Sequence, residues 1–394
     1  MVLKREQKLI IEKLLTLSQE RQITDLILTS ADAIYYATGY ASFSQYAHHD
    51  VGGTIAVVRG DGRVQLIVSE FEKNSAEKSV DSSIDVQSYP TWIYIRDYAI
   101  ESQTKAAHPD LLNNFQIASD FIRERTITNR KVAVQSKDLS FEAYQYLINV
   151  FGIQNISPVE EILQEARLIK TPWEIDILRR ATQLDEIAIN KTAAQIFPGL
   201  TDADVVQIFE KNARELSNEI TSVSNAHTIG NNFSPSYIQP QTRIGTGDIV
   251  RLDGGISLLG YNSDLARTFV VGSTVSKEKQ EIYDALWLGH EYAAKHIEPG
   301  VKFSELFNGV DKIVNKYISG YVRGHFGHSI GSGKGEEFPF VSPDQDRVFE
   351  EGMVINLEVP FYSSEYQSFN IEDTFIVHAD RVEQVTFSSA SLIL

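Results

Sequence analysis

Val250-Arg251-Leu252-Asp253-Gly254-Gly255, then Leu258-Leu259-Gly260-Tyr261, then Ser263-Asp264-Leu265-Ala266-Arg267-Thr268-Phe269-Val270-Val271 is the stretch on which the fold turns. Two apolar, strand-prone runs flank a turn near Leu258 to Gly260. Asp253 and Asp264 lie about equally far from that turn, so an antiparallel hairpin is predicted to set them opposite each other. Two carboxylates buried face to face repel unless a proton or a cation lies between them. The pattern recurs downstream. Met353-Val354-Ile355-Asn356-Leu357-Glu358-Val359 and Phe369-Asn370-Ile371-Glu372-Asp373-Thr374-Phe375-Ile376-Val377 are strand-like runs with Glu358 and Glu372 equidistant from a turn near Ser363 to Tyr366. Between the two hairpins lies Gly327-His328-Ser329-Ile330-Gly331, a histidine in a glycine-rich loop. Taken singly these signals are weak, since an Asp-Gly pair is more often a turn and a lone histidine more often a satisfied loop residue. Together, Asp253, Asp264, His328, Glu358 and Glu372 form a candidate cage for two divalent metal ions. One imidazole with four carboxylates suits Mn, Fe, Co or Zn better than Ca or Mg.

Working outward, 394 residues exceed one ordinary hydrophobic core, so two domains are expected. Apolar residues at 42% and charged residues at 23% place the chain among globular proteins. No apolar run is long enough to span a bilayer, and the N-terminus lacks the apolar core of a signal peptide. The absence of cysteine excludes disulfides and thiolate ligands and fits a cytoplasmic protein. A net charge of −17 argues against a nucleic-acid binder, which needs a basic face. Most of that acid is read as a solvated surface.

The predicted elements alternate over the first part of the chain. A helix is expected from Glu6 to Arg21, strands at 25–29, 54–58, 64–68 and 131–134, and a helix from Phe141 to Val150. Arg59-Gly60-Asp61-Gly62-Arg63 is a hairpin signal. This predicts an α/β N-terminal domain over residues 1–165. A second domain over 166–394 opens at Thr171-Pro172-Trp173-Glu174, an N-cap, a proline at the first helical position and a capping-box glutamate. That helix is expected to reach Ile196, and another to run from Thr201-Asp202 to Leu216.

The motifs resemble those of the pita-bread-fold metallopeptidases, the family of Xaa-Pro dipeptidase (prolidase), aminopeptidase P, methionine aminopeptidase and the creatinase branch. Gly247-Asp248-Ile249-Val250-Arg251-Leu252-Asp253-Gly254-Gly255 matches the family's D-x-G run. Gly260-Tyr261-Asn262-Ser263-Asp264-Leu265-Ala266-Arg267-Thr268 matches the second aspartate motif. Gly327 to Gly331 matches G-H-x-I-G, Glu351 to Glu358 the first glutamate motif, and Ile371-Glu372-Asp373-Thr374 the second. Tyr35-Tyr36-Ala37-Thr38-Gly39-Tyr40 and the run from Arg167 to Glu174 resemble other recurring family segments. The resemblance spans the chain. It implies an α+β architecture, with a creatinase-like N-terminal domain and a pita-bread catalytic domain. It further implies all five metal ligands, a homodimer, and hydrolysis of an amide C–N bond in a dipeptide or other small substrate. In that chemistry Asp264 and Glu372 bridge two cations, manganese foremost with Co, Fe or Zn as alternatives. The cations share and acidify a water that attacks the carbonyl, and Glu358 shuttles its proton.

Three positions depart from the family. Its catalytic histidine before the first metal strand is Ser236 here, in Pro235-Ser236-Tyr237. Its second histidine, in H-E-x-P, falls on Gly335 or Glu336. Its basic residue two places before the second glutamate is Asn370. Losing such donors costs several kcal/mol of transition-state stabilisation. His227 and His325 are therefore candidate catalytic replacements, with Ser236 and Tyr237 as candidate substrate contacts. Lys334 and Tyr237 are further replacement candidates, and His48-His49-Asp50 reads as a loop feature before a substrate contact. Two other functions remain as alternatives: a divergent hydrolase of the same fold acting on a non-prolyl amide or related C–N bond, and an inactive protein that binds metal and recognises a peptide or partner.

Overall fold

In Leu26-Ile27-Leu28, Ile55-Ala56-Val57-Val58 and Leu66-Ile67-Val68 there is no polar face, which demands cover on both sides of a sheet. A computed structural model shows that cover; it describes residues 4–48, 51–93, 95–97, 108, 110–234, 242–333 and 335–393. The chain divides into two compact units, Lys4–Arg167 and Leu168–Leu394.

The first unit holds a six-stranded mixed sheet ordered β4-β3-β2-β1-β5-β6. Its strands are β1 (Asp25–Leu28), β2 (Ile55–Arg59), β3 (Val64–Ser69), β4 (Ile84–Tyr89), β5 (Val132–Val134) and β6 (Ile156–Pro158). Leu26, Leu28, Ala56, Val58, Leu66 and Val68 pack with Ile10 and Leu14 of α1 (Gln7–Glu20) and Ile34 and Tyr36 of α2 (Ala31–Thr38). The alternate residues Ile27, Ile55, Val57 and Ile67 pack on the other face. There they meet Phe115 and Phe121 of α4 (Leu112–Arg123) and Leu147 of α5 (Phe141–Phe151). α3 (Glu70–Ser79) joins β3 to β4, and α6 (Glu160–Leu168) closes the unit. The expected hairpin at Arg59–Arg63 is present, with Gly62 at φ 87° and Val58 paired to Val64.

The second unit opens with α7 (Pro172–Ala193), capped as expected. Thr171 Oγ1 accepts the Glu174 amide at 3.3 Å, and Glu174 Oε2 accepts the Thr171 amide at 2.8 Å. Thr171→Ala is expected to cost about 1 kcal/mol, read as a lower denaturation midpoint; an unchanged midpoint sinks that assignment. The regular helix stops short of Ile196 because Gln195 and Ile196 donate to Thr192 and Ala193, tightening the last turn to three-residue bonds. α8 (Asp202–Arg214) follows.

β9 (Ile249–Leu258), buried at every residue, is the spine of one sheet. It pairs with β7 (Ile220–Asn225), β8 (Thr228–Ile229), β10 (Tyr261–Asn262) and β11 (Leu265–Val270). Leu259 and Gly260 form the two-residue turn, at φ 49° and 76°, the positive pair that a right-twisted hairpin requires. This turn is centred one residue later than equal spacing from the two aspartates predicts. Asp253 therefore faces Ala266, and Asp264 sits two residues nearer the turn. The expectation that they lie directly opposite is corrected, yet the site survives. With a side-chain period of two, an offset of two leaves both on one face, whereas an offset of one would have turned Asp264 away.

The second sheet runs β13-β12-β14-β17-β18. Its strands are β12 (Gly327–Ser329), β13 (Glu337–Phe340), β14 (Val354–Glu358), β17 (Glu372–Val377) and β18 (Val382–Gln384). Between β14 and β17 lies the small hairpin of β15 (Phe361–Ser363) and β16 (Gln367–Phe369). Here the expectation holds: Glu358 pairs directly with Glu372. Ile355 and Leu357 of β14 and Phe375 and Val377 of β17 pack against α9 (Lys277–His296) and α10 (Phe303–Tyr317), through Leu286, Phe303, Leu306 and Val310. Alternation then sends Asn356, Glu358, Glu372 and Thr374 to the opposite face. The core thus dictates where the acids go.

Candidate metal centre

Asp253, Asp264, His328, Glu358 and Glu372 all line one cavity of about 410 Å³ in the second unit. His328 on β12 lies across from Asn356 on β14. Its Nε2 stands 3.6 Å from Glu372 Oε1 and 3.8 Å from Asp264 Oδ2. Ligand atoms of Asp264, His328 and Glu372 all lie within 4.8 Å of one another. The tautomer of His328 follows from its other nitrogen. Nδ1 is 3.1 Å from the Ser329 carbonyl, to which only an N–H can be donated, so Nε2 presents its lone pair to the acids.

Electrostatics ask for a cation. Burial pushes Asp264 and Glu372 well above the ordinary carboxylate range, and neighbouring carboxylates push each further, Glu372 on Asp264 and Glu358 on Glu372. Burial also raises Asp253, against the opposing charge of Arg251. Glu358 is equally desolvated, yet Arg323, His328 and His325 together bring it below its usual value. Acids so placed give up their protons once a divalent ion enters, and hard oxygens with one imidazole nitrogen are a donor set that such an ion accepts. The residues present therefore fit a divalent metal.

The surrounding polar groups hold these acids in place. Asn356 Nδ2 donates to Glu372 Oε1 at 3.0 Å and to the Asp264 carbonyl at 2.6 Å, while its own Oδ1 accepts from Thr374 at 2.9 Å. Asn370 Nδ2 lies 3.3 to 3.5 Å from Asp253, Glu358 and Glu372 at once. Its backbone is tied to Thr268 of β11 by two bonds of 2.8 and 2.9 Å, which lock the two sheets together beside the site. Arg251 NH1 is 2.9 Å from Asp253 Oδ2, and Arg323 NH2 is 2.6 Å from Glu358 Oε1.

The two histidine candidates are placed differently. His325 lies between Glu358 and Glu336, 3.5 Å from each, and these three form a second cluster of ligand-type atoms within 4.8 Å. His227 is buried behind the site, with its ring edge-on to Phe209 at 4.9 Å and its Nδ1 accepting the Asp253 amide at 2.9 Å. Burial, reinforced by the Arg251 charge, drops His227 to about 3, so it stays neutral at physiological pH. It holds the backbone of Asp253 and is not among the groups that line the cavity. Ser236, Tyr237, Lys334, His49 and Asp50, and the side chain of His48, lie outside the described residues.

With this geometry in hand, sequence comparison decides the family. Residues 176–379 match the sequence model of Metallopeptidase family M24. The chain belongs to metallopeptidase family M24. Residues 10–169 match the Creatinase/Prolidase N-terminal domain. Among curated relatives, an Xaa-Pro dipeptidase of Pyrococcus furiosus is 25% identical over 391 residues, covering 97% of this chain and 99% of that protein. Among solved structures, an Xaa-Pro dipeptidase from Bacillus anthracis aligns with a TM-score of 0.81 at 24% identity, over 98% of this chain and 99% of the other. An X-Pro aminopeptidase from Thermotoga maritima aligns with a TM-score of 0.78 at 18% identity, over 97% and 99%. The M24 member thus combines a creatinase-type N-terminal domain with a pita-bread catalytic domain, as the motifs implied.

Several groups at this M24 centre escaped motif reading: Arg251, Arg323, Asn356 and Tyr362. One signal was available. Arg251, Asn356 and Asn370 each stand two residues before an acid of the cage, and in a strand that spacing shares a face. Arg323 carried no such signal, because it approaches Glu358 from a loop 35 residues away. Of the two positions that the motif reading matched to a histidine, Glu336 lies at the rim beside His325, and Gly335 also lines the cavity.

Proposed function

We propose that this chain is a metal-dependent dipeptidase that hydrolyses the amide bond of Xaa-Pro or closely related dipeptides. The observation that carries the reading is the convergence of Asp253, Asp264, His328, Glu358 and Glu372 on one cavity. When bound, a divalent ion supplies polarisation of the substrate carbonyl and acidifies a water. Manganese is the proposed metal, with Co, Fe or Zn as alternatives for the same donor set. Glu358 would take the proton of the attacking water on a carboxylate oxygen and return it to the departing nitrogen. The second proton of that water, released as the product carboxylic acid ionises, would have His325 and Glu336 beside Glu358, at 3.5 Å steps toward the rim. A homodimer is proposed from the resemblance alone, and gel filtration with light scattering tests it.

A panel of dipeptides assayed with added manganese tests the activity. Cleavage of Xaa-Pro substrates and not of matched Xaa-Ala substrates is the expected result. Cleavage confined to non-prolyl amides would favour a divergent hydrolase, a reading supported by the loss of both family histidines. Tight metal binding with no turnover of any substrate would make the chain a recognition protein.

A further inference from the structure

We propose that Arg251 and Arg323 stand in for one of two metal ions, so that this cage is built for a single divalent cation held by Asp264, His328 and Glu372. The proposal rests on the metal-centre reading above and deepens it.

The first argument is charge. Asp253, Asp264, Glu358 and Glu372 bring four negative charges into one cavity. Two divalent ions would balance four such charges. Here two guanidiniums already lie inside, Arg251 at 2.9 Å from Asp253 and Arg323 at 2.6 Å from Glu358. Two negative charges remain, which one divalent ion neutralises. Glu336 lies at the rim, 45% exposed, where water screens it.

The second argument is which donors are left. Asp253 Oδ2 is shared between Arg251 and Asn370. Glu358 has Arg323 on one oxygen and Asn370 on the other. Asp264, His328 and Glu372 are the members of the set whose side chains make no ion pair or hydrogen bond with a guanidinium among the described residues, although Arg267 NH1 donates to the Glu372 backbone carbonyl at 2.6 Å, and their ligand atoms lie within 4.8 Å of one another. Three protein ligands with open positions beside them are the pattern of a catalytic metal site.

The third argument is that the guanidiniums are fixed. Arg251 is 1% exposed. Its Nε donates to Thr228 Oγ1 at 3.2 Å, its NH1 to the Tyr362 hydroxyl at 2.8 Å, and its NH2 to the Ala226 carbonyl. Arg323 Nε donates to the His325 carbonyl at 3.0 Å. An arginine stays charged at every working pH, so a second divalent ion at Asp253 would sit against a permanent positive charge that has no room to leave.

Metal counting tests this without reading activity, so its failure and that of the peptidase assignment are separable. The full chain is stripped with chelator, dialysed against micromolar free manganese, and analysed by elemental mass spectrometry and EPR. The expected result is one manganese per chain with the spectrum of an isolated ion. Two per chain with a spin-coupled spectrum, or none, overturns the proposal. The double variant Arg251→Met/Asp253→Asn removes an ion pair together and so avoids stranding a buried charge; it is expected to keep one manganese, and a lower content overturns the proposal. Arg251→Met alone frees Asp253 and is expected to bind a second ion. Should that variant not fold, the wild-type count and the double variant still decide.

Discussion

Asp264→Asn is expected to lower peptide turnover by about a thousandfold or more, equivalent to about 4 kcal/mol of barrier, while raising the melting temperature of the metal-free protein. The two effects have one cause. Asp264 is a half-buried, desolvated carboxylate facing Glu372 and His328, and its charge is costly until a cation arrives. The amide removes that charge at nearly constant shape. It also weakens the grip on any divalent ion, so the increase in melting temperature that manganese gives the wild type should shrink or vanish. The pH dependence carries the same sign. Asp264 and Glu372 are both raised in the folded state. Their contribution to stability is therefore complete below the ordinary carboxylate value near about pH 4. It is lost as pH rises through their elevated folded values. In chelator, the wild type should lose stability across that window and the variant should lose less. Melting curves from mildly acidic to neutral pH, with equal slopes for both proteins and metal content unchanged, would remove Asp264 from the site.

Arg251→Met should cost the metal-free protein about 3–5 kcal/mol, the usual penalty for stranding one member of a buried ion pair. The substitution keeps much of the side-chain volume but deletes every hydrogen bond that the guanidinium makes to Thr228, Tyr362 and Ala226. Asp253, desolvated and already raised, then lacks its counter-charge. Arg251→Lys should rescue little, because a single ammonium cannot reach Asp253, Tyr362 and Ala226 from one planar fork. Added manganese should restore more stability to Arg251→Met than to the wild type, since a cation can take the vacated place beside Asp253. Denaturant unfolding that finds a loss under about 1 kcal/mol would show that the pair behaves like a surface salt bridge and contributes little to the cage.

The sequence by itself determined the strands that carry or adjoin the four acids, the faces those acids share, and the five residues of metal-ligand type; edge strands such as β4, β7 and β18 were not legible in it. These are local properties: alternation at a period of two, turn chemistry at Leu259-Gly260, a capping box at Thr171 to Glu174. The core on α9 and α10 takes Ile355, Leu357, Phe375 and Val377, and alternation leaves Glu358 and Glu372 no other side. Even the misjudged register of Asp253 and Asp264 did no harm, because an error of two residues preserves the face. Tertiary structure alone decided which charges meet. Arg323 reaches Glu358 across 35 residues, His325 falls between Glu336 and Glu358, and His227 turns behind Asp253 and away from the cavity. Such pairings depend on how loops and two separate sheets pack, and Coulomb energy between side chains is a function of distance in space, which spacing along a chain does not encode.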